Sequence, residues 1–393
     1  MNVNLFVWIA ILATVTSGSP ELCVAEEKPK FERRVVASHK DVEWNRYPSI
    51  ARLDDGRIMV VWYSSKEYKS TPSAKENDSI VGIFTSDHGR TWSVPLPLIQ
   101  TPGHDLDPSI LVSGKRIFVT STVVPDGPGI TTTTTWCTRS EDNGRTWSDP
   151  YQIPMNRRNT SGKTQHGLRL KSGTLLMGYA WDIFCEQGKT LKDEDEMHLR
   201  SGVMRSTDNG KTWRNGGDVV NPPYKKSYPG GIQGNCEPAI VELEDGSIYM
   251  LMRTGSNHLY EARSSDEGKT WTQIGPSPLP GNNSPASLCK FQHGKRRGIL
   301  CVWDNSVHRW PLCATASFDG GKTWSKPKDI ADSIEGIQIS YPDCYQAADG
   351  MLTAVWQQGF PASEDDKREI GRDVRFARFN LAWLLDETPQ QKP

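Results

Sequence analysis

One eight-residue pattern, Ser/Thr-x-Asp-x-Gly-x-Thr-Trp, occurs five times and constrains the fold more than any other feature of this sequence. The copies occupy residues 85–92, 140–147, 206–213, 264–271 and 317–324. They recur at intervals of about 55 to 65 residues, a period typical of propellers and other repeat architectures. The chain is therefore predicted to be built from repeated units of one kind.

Each copy of this pattern predicts a tight hairpin turn. Asp and Ser/Thr side chains can bond nearby backbone N–H groups, Gly supplies a positive φ, and Trp is expected to pack the turn onto its own sheet. Because the Asp recurs in five equivalent places, a structural role is favoured for it over metal binding or catalysis.

A second motif repeats out of phase with the first. It runs from Tyr47-Pro48 through Asp55-Gly56 into an alternating apolar strand ending at Trp62. Similar runs begin at Pro108, Gly167, Pro238, Pro285 and Pro342. Each fits a β-hairpin, in which a Gly turn joins two strands.

Together the two motifs give four strands per unit and six units. The predicted fold is all-β, a six-bladed β-propeller in which radial repetition protects the sheet edges. The sixth unit lacks the Trp turn, so residues 374–384 are expected to supply its outer strand. Residues 31–37 could add a closing strand that joins the first and last blades. Residues 26–393 are predicted to form this single domain.

Residues 1–25 are typical of a secretory signal peptide. An apolar run covers residues 5–15, and small residues precede Glu26-Glu27. A buried N-terminal strand and a membrane anchor are the alternatives. Since no other segment approaches spanning length, the mature chain is expected to have no membrane span and to be secreted or periplasmic.

Composition excludes some classes of function. The 393 residues include 46 Lys+Arg and 47 Asp+Glu, a net charge of −1, so the basic bias of a nucleic-acid-binding protein is missing. The eight Cys form no C-x-x-C pair and are expected to be mostly buried strand residues. No P-loop, dinucleotide fingerprint or Gly-x-Ser-x-Gly elbow occurs. Neither a metal nor an organic cofactor is predicted.

The five Trp turns resemble the Asp-boxes of the sialidase (neuraminidase) superfamily, whose fold is a six-bladed propeller. The resemblance covers essentially the whole mature chain, and it implies three arginines that bind a substrate carboxylate. Arg46 stands in Arg46-Tyr47-Pro48, where the family has Arg-Ile-Pro. Arg253 closes the strand after residues 241–246, and Arg309 lies ten residues before the last Asp-box Asp.

The resemblance also implies the catalytic residues. Tyr341 precedes the Asp-Gly turn of the final blade and matches the family's nucleophile, and Glu237 matches the Glu that activates it. The family's acid/base Asp lies in a first-blade loop. Asp78 is the candidate for this role, with Glu76 and then Glu67 as alternatives.

The sequence departs from the family pattern in three places. Tyr47 replaces the middle residue of Arg-Ile-Pro, Pro342 stands where many members have Ser, and Gln357 stands where many have a Glu beside the first Arg. The loss of that negative charge is expected to leave Arg46 less firmly oriented.

The implied chemistry is internally consistent. Guanidinium groups stay charged and bind carboxylates bidentately. A neutral phenol is not repelled by an anionic substrate, and sialidases use a Tyr nucleophile. Other polar residues at strand starts could line the same mouth as sugar hydrogen-bonding groups, a reading favoured over a metal site: His104, Asp105, Asp107, Gln165 and His166.

The leading hypothesis is an exported sialidase-like glycoside hydrolase that releases a terminal acidic sugar, sialic acid first, from a glycan or glycoconjugate with retention of configuration. Two alternatives stay open. The pocket could serve another glycan of uronic-acid type, by hydrolysis or elimination. The propeller could also bind glycans without catalysis.

Overall fold

The structure is a computed structural model that describes most of the chain. The described residues are 27–66, 78–124, 133–155, 165–182, 198–220, 233–281, 283–333, 337–363 and 365–386. The predicted signal peptide and the alternative acids Glu67 and Glu76 lie outside them. Within this part, strands dominate and the one helix is short.

The strands form six four-stranded blades, as predicted. Blade 1 contains β2 (Trp44–Arg52), β3 (Ile58–Ser65), β4 (Ser79–Thr85) and β5 (Leu96–Ile99). Blade 2 contains β6 (His104–Ser113), β7 (Arg116–Val124), β8 (Thr134–Ser140) and β9 (Tyr151–Ile153). Blade 3 contains β10 (Leu168–Arg169), β11 (Leu175–Asp182), β12 (His198–Ser206) and β13 (Arg214–Asp218).

The second half repeats this arrangement. Blade 4 contains β14 (Gln233–Glu242), β15 (Ile248–Thr254), β16 (His258–Ser264) and β17 (Gly275–Pro280). Blade 5 contains β18 (Ser287–His293), β19 (Arg296–Asp304), β20 (Leu312–Ser317) and β21 (Lys328–Ala331). Blade 6 contains β22 (Ile339–Gln346), β23 (Leu352–Pro361), β24 (Glu369–Phe379) and the N-terminal β1 (Phe31–Ala37).

Strand β1 closes the propeller, as predicted. It pairs antiparallel with β24, so the fourth strand of blade 6 comes from the N-terminal part of the chain. The prediction of an outer strand at residues 374–384 is wrong in detail. The strand is the third of its blade, since β1 pairs with its outer edge. It ends at Phe379 because Asn380 caps helix α1 (Leu381–Leu385), accepting a hydrogen bond from the Trp383 backbone N–H.

Apolar side chains pack between neighbouring blades. Along β3, Val60 and Trp62 face blade 6, whereas Val61 and Tyr63 face blade 2. This alternation follows from the two-residue period of a strand buried on both faces. The six cysteines in the described residues are buried and form no disulfide with one another, as expected for small apolar residues: Cys137, Cys236, Cys289, Cys301, Cys313 and Cys344. No described helix has the length and apolar character needed to cross a membrane.

The Asp-box turns have the predicted hydrogen bonds. In the second copy, Asp142 accepts from the Ser140 hydroxyl at 2.8 Å and from the Thr146 backbone N–H and hydroxyl at 2.9 and 2.7 Å. Gly144 has a φ of 78°. A Cβ there would also lie 2.9 Å from the Phe84 ring of the preceding blade. The turn therefore needs Gly for both conformation and space.

At two of the five turns the Trp contacts the preceding blade, which the expectation of packing on its own sheet did not include. Trp92 lies edge-on against Phe376 of blade 6, and Trp213 lies edge-on against Phe118 of blade 2. Each Asp-box Trp of these blades thus contacts the blade before its own, because the turn leans over the blade boundary. The repeat stabilises the contact between blades as well as the turn.

The Asp-box carboxylates predict a loss of stability in acid. Hydrogen bonds from Thr146 and Ser140 lower the pKa of Asp142 to about 2, and Thr212 does the same for Asp208. A depressed folded-state pKa contributes stability that is present above about pH 4 and is lost as the pH falls towards 2. In urea unfolding, Asp142→Asn should be less stable than wild type at pH 6, and the difference should shrink by pH 2. A difference independent of pH would contradict this account.

Asp343 of β22 joins four blades at the propeller axis. It is completely buried and accepts six hydrogen bonds, from the backbone or side chains of Ser49, Ile50, His166, Ser287 and Cys344. These groups belong to blades 1, 5 and 6 and to the segment that enters blade 3. Segments of four blades therefore meet around this carboxylate.

Replacing Asp343 with Ala should destabilise the fold by about 3 kcal/mol or more, because several buried donors lose their acceptor together. Urea unfolding at neutral pH measures this change. The control is Asp332→Ala at an exposed position, where a change within about 0.5 kcal/mol is expected. Equal stability of the two variants would show that Asp343 is not a structural centre.

Candidate active site

Four first strands carry the same β-bulge near the propeller axis. Tyr47, Asp107, Glu237 and Tyr341 each precede a Pro and have positive φ values of 53, 47, 49 and 56°. The pairing register shifts at each of these positions. Bulges re-aim side chains, and strained backbone of this kind concentrates at functional sites. The same local device thus presents residues of blades 1, 2, 4 and 6 at one end of the propeller.

Arg253 contacts both Glu237 and Tyr341, so three of the predicted site residues lie together. One guanidinium nitrogen of Arg253, Nη1, donates to both Glu237 carboxylate oxygens at 2.9 Å and to the Tyr341 hydroxyl at 3.4 Å. Tyr341 is 8% exposed. Burial raises the pKa of its hydroxyl and the Glu237 carboxylate adds to this, while Arg253 and Arg309 oppose it. The phenol is therefore neutral in the resting protein.

Arg309 reaches the same group from blade 5. Its guanidinium carbon lies 5.4 Å from the Tyr341 ring centroid. Its Nη2 donates to the Asn283 backbone carbonyl at 2.7 Å, and its Nη1 donates to the Gln338 side chain at 3.1 Å. Two of the three predicted arginines thus meet at Tyr341.

Asn283 is a site residue that the sequence reasoning missed. Its side-chain oxygen accepts from Arg253 Nη2 at 2.6 Å and Nε at 3.0 Å, and its backbone carbonyl binds Arg309. One residue therefore orients both guanidinium groups. Its φ is 52°. The one sequence signal for this conformation is the residue type, because Asn adopts positive φ more often than most residues.

Arg46 joins this group through its neighbour Tyr47. The Tyr47 ring lies edge-on to Tyr341, with centroids 4.7 Å apart. Arg46 is 4% exposed, and its guanidinium lies 4.9 Å from the Trp44 ring centroid. Gln357 accepts from the Tyr47 backbone N–H at 3.1 Å and is itself buried. Gln357, which stands where many family members have Glu, thus stabilises the backbone of the bulge beside Arg46.

A further ion pair, which no motif marked, lies near Arg46. Glu369 accepts from Arg372 Nε at 2.8 Å and Nη2 at 2.6 Å, and its other oxygen accepts from the Gln338 backbone at 3.2 Å. Burial and the positive charge of Arg46 lower the pKa of Arg372, and Glu369 opposes this. A second buried guanidinium group therefore lies close to that of Arg46.

Asp78 directly precedes β4 of blade 1, three blades away from Glu237 of blade 4, and it faces blade 2. Its side chain is 3% exposed and hydrogen-bonds the Nδ1 of His104, which is 12% exposed. Burial alone would raise the pKa of Asp78, but hydrogen bonds from His104 and Ser65 bring it below its ordinary value. The carboxylate is therefore ionised and covered by the imidazole.

The remaining polar candidates, Asp105, Asp107, Gln165 and His166, have different surroundings. Asp105 is buried against Thr101, and burial raises its pKa to about 6 although hydrogen bonds from Thr101 oppose this. Gln165 bonds backbone carbonyls of blades 4 and 5, and His166 bonds Asp343, so both stabilise the axis. Asp107 occupies a bulge position. No cluster of three potential metal ligands was found in the described part of the chain.

Comparison with known proteins decides the family. The family described as BNR repeat-like domain matches residues 56–354 of this chain. The chain belongs to this family. The matched region contains all five Asp-box turns, and curated relatives support the resemblance to the sialidase superfamily.

Two curated sialidases are similar to this BNR repeat protein over most of its length. The Clostridium perfringens sialidase is 25% identical over 363 residues, which cover 80% of this chain and 87% of the relative. The Paraclostridium sordellii sialidase is 24% identical over 311 residues, covering 70% and 71%. Among solved structures, Trypanosoma rangeli sialidase superposes with a TM-score of 0.68 at 16% identity. That match covers 90% of this chain and 60% of the larger protein.

Proposed function

We propose that this BNR repeat protein is a sialidase-like glycoside hydrolase that releases a terminal sugar bearing a carboxylate, sialic acid first, from a glycan. We also propose that residues 1–25 direct its export, because such substrates occur outside the cell. The similarity to curated sialidases supports the reaction class. The arrangement around Tyr341 supports the specific mechanism.

One observation carries the proposal: a buried phenol contacts a guanidinium that also holds a carboxylate. The Arg253 contacts to Glu237 and Tyr341 place a base and a positive charge beside one hydroxyl. A neutral phenol is a weak nucleophile and needs such a base. Guanidinium groups are also suited to bind the carboxylate of a ligand.

The proposed reaction has two steps and retains configuration. In the first, the Tyr341 oxygen attacks the anomeric carbon and gives its proton to Glu237, while the bond to the leaving oxygen breaks and that oxygen is protonated. In the second, water attacks the same carbon, the bond to Tyr341 breaks, and Glu237 returns the proton. Arg46, Arg253 and Arg309 hold the substrate carboxylate in both steps. Asp78 takes part in the acid/base catalysis that protonates the leaving oxygen.

The direct test compares two substrate classes. The purified protein is assayed on an aryl α-sialoside and on uronic-acid polysaccharides, with detection of both reducing ends and unsaturated products. Release of sialic acid with first-formed α configuration in proton NMR is the expected result. Turnover of uronates alone would replace the proposed substrate, and glycan binding without turnover of either class would make the protein a binding propeller.

A further inference from the structure

The family resemblance assigns the proton donor to Asp78, but the Asp78 side chain is too buried to contact a substrate readily. Its carboxylate is 3% exposed, with one oxygen in contact with His104. The imidazole is more exposed, at 12%. A group that gives a proton to a leaving oxygen must come within hydrogen-bond distance of it. Of the two side chains, His104 has the greater exposure that such an approach needs.

The hydrogen bond between the two residues fixes the roles of the ring nitrogens. An ionised carboxylate can only accept a hydrogen bond, so His104 Nδ1 carries a proton and donates a hydrogen bond to Asp78. The second nitrogen, Nε2, has no hydrogen-bond partner among the described residues and is the one that can exchange a proton with a ligand. A carboxylate that orients an imidazole and stabilises its charged form is a known way to make an acid/base catalyst.

His104 is also connected to the nucleophile by a row of aromatic rings. The Tyr63 ring lies edge-on to His104 with centroids 5.4 Å apart, and Tyr47 lies 6.4 Å from Tyr63 and 4.7 Å from Tyr341. His104 is the first residue of β6, three residues before the Asp107 bulge. It therefore lies at the same end of the propeller as Tyr341, on the blade 2 side.

We propose that His104, positioned by Asp78, is the acid/base catalyst of this site. This inference rests on the proposed function and deepens it. The charged groups facing His104 are Asp78 from β4 and Asp105 from its own strand, and the titratable Tyr63 of β3 packs against its ring. Asp78 is a positioning residue in this arrangement.

His104 and Glu237 each transfer one proton in both steps of the reaction. In the first, the glycosidic C–O electrons go to the leaving oxygen, which takes the Nε2 proton and leaves His104 neutral. Glu237 takes the Tyr341 proton as the new C–O bond forms. In the second, neutral His104 takes a proton from the attacking water, and Glu237 returns its proton to the Tyr341 oxygen.

The test uses two sialosides that differ in their leaving group. An activated aryl group leaves without help, whereas an alkyl or sugar alcohol needs a proton donor. For His104→Gln, kcat/KM on the poor leaving group should fall by about 100-fold or more, and at least 10-fold more than on the aryl sialoside. Azide, which attacks without a base, should accelerate the aryl reaction of this variant and give a glycosyl azide. Asp78→Asn should show the same selective loss.

The control is His39→Gln, because His39 Nδ1 bonds Asp373 at 2.7 Å with similar burial. It should show no dependence on the leaving group. A uniform loss in His104→Gln, or a selective loss in Glu76→Gln or Glu67→Gln and not in His104→Gln, would overturn the inference. Wild-type protein inactive on both sialosides would instead overturn the proposed function and this inference with it.

Discussion

Tyr341→Phe is expected to lower kcat on an aryl α-sialoside by about 1,000-fold or more. The change removes one oxygen and keeps the ring that packs against Tyr47 and beneath Arg309. Without the hydroxyl no bond to the anomeric carbon can form, although the arginines can still bind the carboxylate. Initial rates and ligand affinity, measured on the same preparation, separate the two effects.

The matched control for this prediction is Tyr345→Phe. Tyr345 lies on the same strand, is similarly buried at 7% exposure, and packs in the apolar cluster between blades 6 and 1. Its variant should keep kcat within a few-fold of wild type. Activity in Tyr341→Phe comparable with that of Tyr345→Phe would exclude a Tyr nucleophile.

Arg253→Met is expected to be both inactive and strongly destabilised. Burial opposes the charge of Arg253, but Glu237 and Tyr341 outweigh it and raise its pKa. Removing this cation leaves the Glu237 carboxylate buried without its partner, at a cost of about 3–5 kcal/mol. Urea unfolding with linear extrapolation gives the free energy of unfolding.

A second variant separates the structural effect from the functional one. Arg253→Met combined with Glu237→Gln removes both charges, so stability should recover towards wild type while turnover stays absent. If the single variant were as stable as wild type, the ion pair would have no structural role. If the double variant were no more stable than the single one, the loss would come from packing and not from an unpaired charge.

The repeat made the architecture predictable because the same physical requirement appears in every copy. Gly144 needs a positive φ and has no room for a Cβ, and Asp142 supplies the acceptor that the turn lacks. Such requirements are local, so they are visible in a short stretch of sequence. The Trp contact with the preceding blade was missed because it depends on how two blades lean together.

The site was predictable where the family motif carries the chemistry and unpredictable where the contact is long-range. Glu237, Arg253 and Tyr341 come from three separate segments, and their meeting follows from the propeller once each is assigned to a blade. Asn283, which holds two arginines, belongs to no motif. The covering of Asp78 by His104 joins two blades and could be read only from the structure.

The central claim is that Tyr341 forms a covalent bond with the sugar. The most direct measurement is a mass spectrum of the protein after incubation with a 2,3-difluorinated sialic acid, whose second fluorine slows hydrolysis of an adduct. The expected result is a mass increase of one sugar, located by peptide fragmentation on Tyr341 and absent in Tyr341→Phe. An adduct on another residue, or none while the protein hydrolyses sialosides, would contradict the account.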